Sequence, residues 1–314
     1  MITAMPTRLL LGPQRPIRNI GEAIRSAGLP DGRMAVISAG WQEAEGDIDD
    51  VRELIQRPLI DLQLYKRAEA LFPTDDKLRT AYRQRQDRLK ELQGLYQIRL
   101  KQLILAARQI LRASGDAEMI TVELRHAVSQ LRALDRHHLR RVQAINTEFE
   151  AEHPLQDTAL LAEQFAQIDK ILSDCETVVI TGGNALVLLN RLRLFGTHLQ
   201  LESKNIVAWS AGAMVLSDKI VLFHDRLPQG RRGAEVLGPG TGLLPGYVFM
   251  PDAQRRLRTK DEVRVGLMSR RFSPATCITL DSGAQLHFSG RKLKRSELAK
   301  RMTDDGLLES PELQ

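Results

Sequence analysis

The sequence predicts an α/β fold in which a doubly wound, mostly parallel sheet is interrupted by an inserted antiparallel helical hairpin. Strand-length apolar runs alternate with helical stretches in the first 75 residues and again after residue 150, which is the rhythm of βαβ units. Residues 76–150 contain no such alternation. They instead carry apolar residues at near-heptad spacing, which is typical of long packed helices.

These patterns divide the chain into three parts. We expect residues 1–75 and 151–290 to form a single discontinuous α/β domain, with residues 76–150 as the helical hairpin insertion. Residues 291–314, which are first basic and then acidic, are expected to form a C-terminal tail.

The N-terminal elements follow in the order strand, helix, strand. Residues 8–13 predict a first strand, and residues 17–27 predict a helix that Gly28 closes. Residues 33–41 predict a second strand that ends in Ala-Gly, and the segment D-I-D-D-V-R-E-L-I begins a helix with acids in its first turn. Residues 59–65 complete this region as an expected third strand.

The central region predicts two long helices joined by a tight turn. The segment S-G-D at 114–116 separates the two apolar series, since Gly115 permits a turn and Asp116 is a good N-cap residue. Two such helices would pack as an antiparallel hairpin. The apolar positions are Leu89, Leu92, Tyr96, Leu103 and Ile110 in the first helix, and Leu124, Val128, Leu131, Val142, Ile145 and Phe149 in the second.

Strand patterns return after the hairpin. Residues 177–184 (T-V-V-I-T-G-G-N) predict a buried strand that runs into a Gly-Gly turn, and a leucine-rich helix follows. Residues 205–213 predict the next strand and turn. Residues 243–252 and 277–288 are expected to supply the final strands of the fold.

Composition narrows the class of protein. The 314 residues carry 27% charged and 43% hydrophobic residues, as soluble globular proteins do, and no run is long enough for a membrane span or a signal-peptide core. The net charge of +6 comes from residues 76–150. A basic helical segment of this kind is more often a solvated helix face than a nucleic-acid-binding surface. Cys175 and Cys277, which lie far apart, indicate core residues in a reducing cytoplasm.

No metal or cofactor is expected from the sequence. His126, His137 and His138 fall in the predicted hairpin, but their spacing does not repeat a metal-ligand pattern, so exposed helix histidines are the favoured interpretation.

The segment A-W-S-A-G-A at 208–213 carries the strongest chemical signal. A buried strand delivers Ser210 to its carboxyl end, where sites of open α/β sheets lie, and the small residues after it allow an immediate turn into a helix. Such a turn exposes a nucleophilic hydroxyl, although the segment is not the G-x-S-x-G pattern. Gly182 and Gly183, at the end of another predicted strand, could bring backbone N–H groups close to a substrate carbonyl. Asn184 next to them is a candidate for substrate binding.

Three segments together resemble the dipeptidase E and cyanophycinase family of serine peptidases. They are G-G-N-A-L-V-L-L (182–189), A-W-S-A-G-A (208–213) and G-T-G-L-L-P-G (240–246), in the order and at separations similar to those of the family. The resemblance implies the fold of class I glutamine amidotransferases, which is flavodoxin-like. It covers residues 177–290 well and residues 8–72 loosely, and it has no counterpart for the helical hairpin.

The same resemblance implies roles for individual residues. Ser210 looks like the nucleophile, and Gly182, Gly183 and the N–H of Ala211 look like the oxyanion hole. Asp225 matches a place where the family keeps its acidic triad member. The family histidine normally follows the G-L-L-P segment, at a position occupied here by Asp252 in M-P-D-A.

The absent histidine leaves open which residue could accept the proton of Ser210. A carboxylate with an ordinary pKa is a weak base for a serine hydroxyl, so Asp252 is a poor substitute, and it is equally explained as a helix-start residue. His224, beside Asp225, is the first candidate for a replacement base, ahead of His198 and His287.

The chain is accordingly expected to be either a serine hydrolase with a degenerate triad, acting on small or acidic peptides, or a non-catalytic protein. In the second case it would bind a ligand at the same site, or a protein partner through residues 76–150. The sequence leaves a homodimer open and disfavours nucleic acid and membrane as partners. Glutamine amidotransfer is excluded because that chemistry uses a cysteine where Ser210 stands.

Overall fold

A central sheet of seven strands organises the molecule. The computed structural model describes residues 5–153, 159–225 and 232–314. The sheet has the order β11-β10-β1-β5-β4-β2-β3, and its five strands from β1 to β3 are mutually parallel. Its strands are β1 (Thr7–Leu11), β2 (Met34–Ile37), β3 (Leu59–Asp61), β4 (Thr177–Ile180), β5 (Asn205–Trp209), β10 (Gln285–Ser289) and β11 (Lys292–Glu297).

Alternating side chains of the parallel strands enter two separate cores, so the sheet is doubly wound as predicted. On one face, Leu9, Val36 and Val207 pack against the helices α1 (Ile20–Ser26) and α2 (Asp49–Ile55). On the other face, the neighbouring residues of the same strands pack against the remaining helices. These are α3 (Leu64–Leu71), α4 (Asp76–Leu111), α5 (Ala117–Glu152), α6 (Ala159–Ser173), α7 (Ala185–Leu194), α8 (Ala211–Val215), α9 (Ala253–Arg256) and α10 (Glu262–Phe272).

The order of the parallel strands reverses between β2 and β4. The chain leaves β2 for β3 on one side and later returns to β4 on the other side of β2. In open α/β sheets a crevice forms at such a reversal, outside the carboxyl ends of the strands. The topology therefore places a ligand-sized crevice at the ends of β2, β4 and β5.

Two smaller sheets complete the fold. One has the order β13-β12-β9-β8, with β8 and β9 parallel, and the other is an antiparallel ribbon of β6 and β7. Their strands are β6 (Lys219–His224), β7 (Arg232–Pro239), β8 (Tyr247–Pro251), β9 (Thr276–Leu280), β12 (Lys300–Met302) and β13 (Leu308–Glu309).

The predicted helical hairpin is present. Helices α4 and α5 contain 36 residues each and pack along one another, and the side chain of Asp116 caps α5 by accepting a hydrogen bond from the N–H of Met119. The apolar residues of α5 from Val128 to Phe149 are buried as the spacing predicts.

One prediction about the hairpin is wrong. His138 is only 1% exposed and stacks on Tyr96, with ring centroids 4.1 Å apart. It faces inward because it lies four residues from the buried Leu134 on the packed face of α5.

The hairpin is held to the rest of the chain by a buried ion pair. Arg271 of α10 donates two hydrogen bonds to Asp135 of α5, at 2.8 and 2.7 Å, and a third to the hydroxyl of Tyr96 of α4. Arg271 also donates to the carbonyl of Ala234 in β7. Helices α4, α5 and α10 and the β6–β7 ribbon therefore share one buried polar network.

Several boundaries differ from the sequence prediction. The expected strand 59–65 ends at Asp61, because the helix α3 begins at Leu64, and the expected strand 277–288 is two strands separated by a turn. The segment 291–314 is not a free tail: β11 pairs with β10 at the edge of the main sheet, and Leu293 is fully buried. Its charged residues occupy the exposed positions of an edge strand, which is how such edges are commonly protected.

Both cysteines are buried and unpaired, as expected of core residues. Within the described ranges, no helix is long and apolar enough to cross a membrane.

Candidate active site

Ser210 stands at the end of β5 in a strained backbone conformation. Its φ and ψ angles are 52° and −119°, and positive φ is uncommon for a residue with a side chain. The helix α8 begins at the next residue, so the chain reverses direction at Ser210 and leaves its side chain half-exposed. This is the geometry of a nucleophile elbow.

The residue that permits this turn is Gly212. A Cβ at this position would lie 2.3 Å from the carbonyl oxygen of Ile180 and 2.7 Å from that of Thr181, at the end of β4. The carbonyl oxygen of Ser210 meanwhile accepts hydrogen bonds from the N–H groups of Ala213 and Met214, at 3.1 and 3.2 Å. Close packing of α8 on the end of β4 thus requires glycine and fixes the elbow.

Gly182 lies directly beside the serine. A Cβ added to Gly182 would stand 3.0 Å from the Cβ of Ser210 and 3.5 Å from its hydroxyl oxygen. A side chain there would crowd the hydroxyl, whereas glycine leaves only backbone next to it. The strand-end serine and the glycine turn are therefore brought together, as the sequence pattern predicts.

Gly183, the next residue of the turn after β4, packs against the turn that follows β2. It has a φ of 105°, and a Cβ on it would lie 2.2 Å from the carbonyl oxygen of Gly40. The N–H of Asn184 donates a 2.7 Å hydrogen bond to the same oxygen. The turns that follow β2 and β4 interlock through glycines, so the backbone around Ser210 is supported by both neighbouring strand ends.

Three backbone N–H groups around the hydroxyl are unused by the described part of the chain. The N–H groups of Gly182, Gly183 and Ala211 have no acceptor among the described residues, although those of Thr181 and Asn184 on either side of the glycines do. Donors left open beside a nucleophile are what an oxyanion hole consists of.

A cavity of about 520 Å³ opens above these residues. Ser210, Gly182 and Gly183 form its floor, and Trp41 and Trp209 supply aromatic walls. The volume suits a small ligand. The other lining residues come mainly from the loop after β1, from α1 and from α2: Pro13, Gln14, Arg15, Arg18, Ile20, Ala44, Asp47, Asp49, Asp50, Val51 and Leu54.

The charges that line this cavity nearly balance. Asp50 pairs with Arg15 at 3.0 Å and more loosely with Arg18 at 3.7 Å, and all three side chains are exposed. Exposed pairs of this kind contribute little stability and exchange partners readily. The lining therefore carries no excess of positive charge.

These other lining residues are not among the site residues that the sequence predicts. The sequence places Trp41 at the end of a predicted strand, whereas the backbone turns into a 3-10 segment at Ala39 and Trp41 lines the cavity. The S-A-G-W segment resembles the strand-to-turn pattern at Ser210, and this was the available signal. No local sequence pattern predicts that α1 and α2 line the cavity, because their position beside Ser210 depends on the order of the strands in the sheet.

Asp225 does not lie in the Ser210 cavity. It is buried after β6, where Arg264 of α10 donates to both of its carboxylate oxygens at 2.9 and 2.7 Å. The backbone N–H of Arg258 adds a third, longer bond at 3.3 Å. Asp225 lines a different cavity, next to Arg108 and Asp261. The assignment of Asp225 to the triad is therefore not supported: its carboxylate is engaged by arginine.

His224 does not reach Ser210 either. Its ring stacks on Phe223 of the β6–β7 ribbon, and among the described residues no hydrogen bond joins it to the serine. Burial lowers the pKa of His224, and the nearby charge of Arg256 lowers it further. Both effects favour the neutral imidazole, but His224 lies on a strand outside the central sheet.

Two further histidines are also placed elsewhere. His198 hydrogen-bonds through Nδ1 to the carbonyl of Leu192, and His287 lies on β10 opposite Leu9. Among the described residues that line the Ser210 cavity there is no histidine.

Asp252 follows β8 with φ and ψ of 59° and 37°, a left-handed conformation. Its carboxylate contacts Arg255 at 3.0 Å and Arg256 at 3.6 Å, within the short helix α9. Its charge also raises the pKa of Asp281, after the larger effect of burial on that group. Asp252 therefore has arginine partners of its own and does not line the cavity of Ser210.

Asn184 serves as the N-cap of α7. Its side-chain oxygen accepts hydrogen bonds from the N–H groups of Leu186 and Val187, at 3.0 and 3.1 Å. This local role occupies the side-chain oxygen of Asn184.

Fold and site together define a doubly wound α/β protein with a serine elbow at the carboxyl edge of its sheet. The sequence model of peptidase family S51 matches residues 137–296, just over half of the chain. The protein belongs to peptidase family S51, which confirms the resemblance to dipeptidase E and cyanophycinase. The match begins inside α5 and includes Gly182, Ser210 and Asp252.

Solved structures that match this chain include two bacterial proteins. One is a peptidase from an acI-B1 Actinobacterium, with 13% identity, a TM-score of 0.46, and coverage of 96% of this chain and 92% of that one. The other is a protein from Listeria monocytogenes EGD-e assigned as a Peptidase E, with 10% identity, a TM-score of 0.44, and coverage of 96% and 100%. No sequence among the curated proteins matches this chain significantly.

Proposed function

We propose that the protein is a slow serine-type hydrolase of small peptide amides or esters, with Ser210 as its nucleophile. The observation that carries this proposal is the strained backbone of Ser210, which holds the hydroxyl beside Gly182 at the floor of a cavity. Strain of this kind persists where surrounding packing enforces it, and it is concentrated at functional sites.

The oxyanion of the reaction would be bound by backbone amides. In this proposal Ala211 and Gly183 donate their N–H groups to the carbonyl oxygen as the hydroxyl attacks, and Gly182 leaves room for the tetrahedral carbon. The unused donors around Ser210 support this arrangement. Oxyanion donors retain a substantial part of the rate enhancement even where a triad member is missing.

Slow turnover follows from the missing base. No histidine lies among the described cavity residues, and Asp225 is paired with Arg264. Loss of the base in a serine triad typically costs several orders of magnitude in kcat. Water at the open cavity would have to accept the proton of the hydroxyl and to supply a proton to the leaving group.

Labelling by a fluorophosphonate tests the nucleophile, because the rate at which this reagent phosphonylates a serine reports how nucleophilic its hydroxyl is. We expect slow labelling of the wild-type protein at Ser210, located by peptide mass spectrometry, and none in Ser210→Ala. Ser203→Ala, which removes an exposed serine outside the site, is the matched control and should label like the wild type. Labelling that persists in Ser210→Ala would refute the assignment.

Restoring the histidine tests the degenerate triad. Asp252 occupies the place of the family histidine in the sequence, although it does not line the cavity of Ser210. If an imidazole at this position reaches the hydroxyl, Asp252→His should raise the labelling rate by roughly 100-fold, the lower end of what a positioned general base supplies. The double variant Ser210→Ala/Asp252→His should remain unlabelled. An unchanged rate in Asp252→His would mean that this position does not reach the hydroxyl.

A non-catalytic role is the second candidate, favoured by the engagement of both Asp225 and Asp252 with arginines. In this alternative the hairpin supplies the partner surface, through the exposed Leu95, Ile98 and Leu105 on α4. It predicts no labelling of Ser210 and a protein complex that Ile98→Glu abolishes. Deleting residues 76–150 would be a poor test, because Arg271 would lose its buried partners.

A further inference from the structure

A second cavity lies between the helical hairpin and α7, away from Ser210. Its volume is about 550 Å³, and it shares no lining residue with the cavity above the serine. Residues of α4, α5, α7 and β7 form its walls. Nothing in the proposed hydrolase chemistry uses this space.

Arg85 of α4 lines this cavity and is unusual among the buried arginines of the described chain. Five arginines are buried there, and four of them have a carboxylate within 4 Å: Arg8, Arg191, Arg264 and Arg271. Arg85 is only 6% exposed, and no carboxylate of the described residues lies within that distance. A buried charge without a counter-charge is costly, so the native protein would gain from an anion here.

The contacts of Arg85 orient it without neutralising it. Its Nε donates to the side-chain oxygen of Asn146 at 2.9 Å, and one terminal nitrogen reaches that of Asn190 at 3.5 Å, a long bond. The rings of Phe149 and Tyr82 lie 5.0 and 5.2 Å from the guanidinium carbon. Amides and aromatic faces fix the guanidinium plane, and the remaining donors are left for a further acceptor.

Arg193 of α7 adds a second cation to the same cavity. It donates one hydrogen bond to the carbonyl of Pro239, at 3.1 Å, and has no carboxylate partner within 4 Å among the described residues. Burial lowers the pKa of Arg193, and the charge of Arg85 lowers it further, more than the distant Glu150 raises it. Two like charges thus face one cavity, which is the arrangement that binds a planar carboxylate through paired N–H groups.

About half of the other lining residues are apolar; the polar ones include Asp87 and Lys90, which are exposed and of opposite charge. Leu89, Val142 and Leu186 line the cavity beside the arginines. Gly94 lies in the middle of α4, where glycine costs about 1 kcal/mol relative to alanine, and a Cβ added to it would meet no atom within 4 Å. Packing does not require glycine at this position; its absent side chain keeps the cavity open.

We propose that this cavity is a second ligand site that binds a small organic carboxylate. The carboxylate pairs with Arg85 and Arg193, and the apolar body of the ligand lies against Leu89, Val142 and Leu186. The site is independent of Ser210 and does not rest on the proposed hydrolase function.

Calorimetric titration with 4-phenylbutyrate tests the proposal, with 4-phenylbutanol as the uncharged control. A ligand of this size should bind with a dissociation constant on the order of 1 mM or tighter, and the alcohol should bind at least about 10-fold more weakly. Equal binding of acid and alcohol, or binding of neither, would overturn the proposal.

Single substitutions test whether 4-phenylbutyrate binds in this cavity. Arg193→Gln should weaken binding of 4-phenylbutyrate by about 10-fold or more, since it removes a charged hydrogen-bond donor. Arg99→Gln, a matched loss of an exposed arginine on α4, should leave binding unchanged, and so should Ser210→Ala. Retained binding in Arg193→Gln would show that the acid binds elsewhere.

Gly94→Leu separates loss of the site from loss of the fold. Leucine favours the helix more than glycine does, so the variant should unfold at a temperature no lower than the wild type. Its side chain would occupy the cavity, and binding of 4-phenylbutyrate should fall by at least about 10-fold. Wild-type affinity in this folded variant would refute the location of the apolar body.

Discussion

The end of β5, which carries the serine of the expected triad, differs in its surroundings from the end of β6, which carries the expected acid. At the end of β5, Ser210 has a strained backbone, open amide donors beside it and a cavity in front of it. At the end of β6, Asp225 is buried against Arg264, with both carboxylate oxygens engaged. The first strand end leaves a hydroxyl open to a cavity, whereas the second buries its carboxylate in an ion pair.

The difference has a physical origin. The elbow depends on backbone packing, since Gly212 fits against the end of β4 and Gly183 against the end of β2. Such packing is part of the core and persists whether or not catalysis does. A buried carboxylate is stable in the fold when a cation pairs with it, and Arg264 supplies that cation for Asp225. An intact elbow is therefore weaker evidence for turnover than an acid and a base within reach of the hydroxyl.

The largest expected effect comes from removing the charge of Asp225. In Asp225→Asn the guanidinium of Arg264, 4% exposed, loses its counter-charge, and we expect the free energy of unfolding to fall by about 3–5 kcal/mol. The measurement is urea denaturation followed by circular dichroism.

The same variant distinguishes a structural acid from a catalytic one. Below its unfolding temperature, Asp225→Asn should label with fluorophosphonate at the wild-type rate, whereas loss of a triad acid lowers the rate by roughly 10⁴-fold. Asp76→Asn, which breaks an exposed pair with Arg79, is the control and should change stability by less than about 1 kcal/mol. A large loss of labelling in Asp225→Asn would return this residue to the site.

A smaller effect is expected at the support of the elbow. Gly212→Ala places a methyl group within 2.7 Å of two carbonyl oxygens, so α8 must move away from β4. We expect a loss of about 1–3 kcal/mol in the free energy of unfolding, together with loss of labelling at Ser210. Gly94→Ala is a matched helical control without a clash and should not lose stability. A reactive Ser210 in Gly212→Ala would show that the elbow does not depend on this contact.

The smallest effect is expected at Asn184, where capping and substrate binding make different predictions. Asn184→Ala removes the acceptor for the N–H groups of Leu186 and Val187 and should cost about 1 kcal/mol, measured by thermal unfolding. Asn184→Asp keeps the cap and should retain stability. If both variants bind and react like the wild type, Asn184 acts only as a cap; a loss of reactivity in both would support the substrate role.

Local patterns predicted much of this molecule because they report what a segment does by itself. Near-heptad spacing predicted α4 and α5, and S-G-D predicted the turn and the cap at Asp116, since periodicity and capping involve residues close in sequence. The same reasoning failed at β11, where a short charged segment pairs with β10 only because the sheet offers an edge there. It also failed at His138, which is buried although Arg136, His137 and Arg140 around it are exposed.

The sequence by itself determined that strand-end serine and glycine turns exist, because small residues after an apolar run permit few other conformations. Only the tertiary structure decided what surrounds them. The order of the strands sets Gly40, Gly182 and Ser210 side by side, although up to 170 residues separate them along the chain. It also pairs Asp225 with Arg264 and leaves Arg85 without a carboxylate partner within the described ranges. Pairing of charges across such separations depends on how the elements pack, which no local pattern encodes.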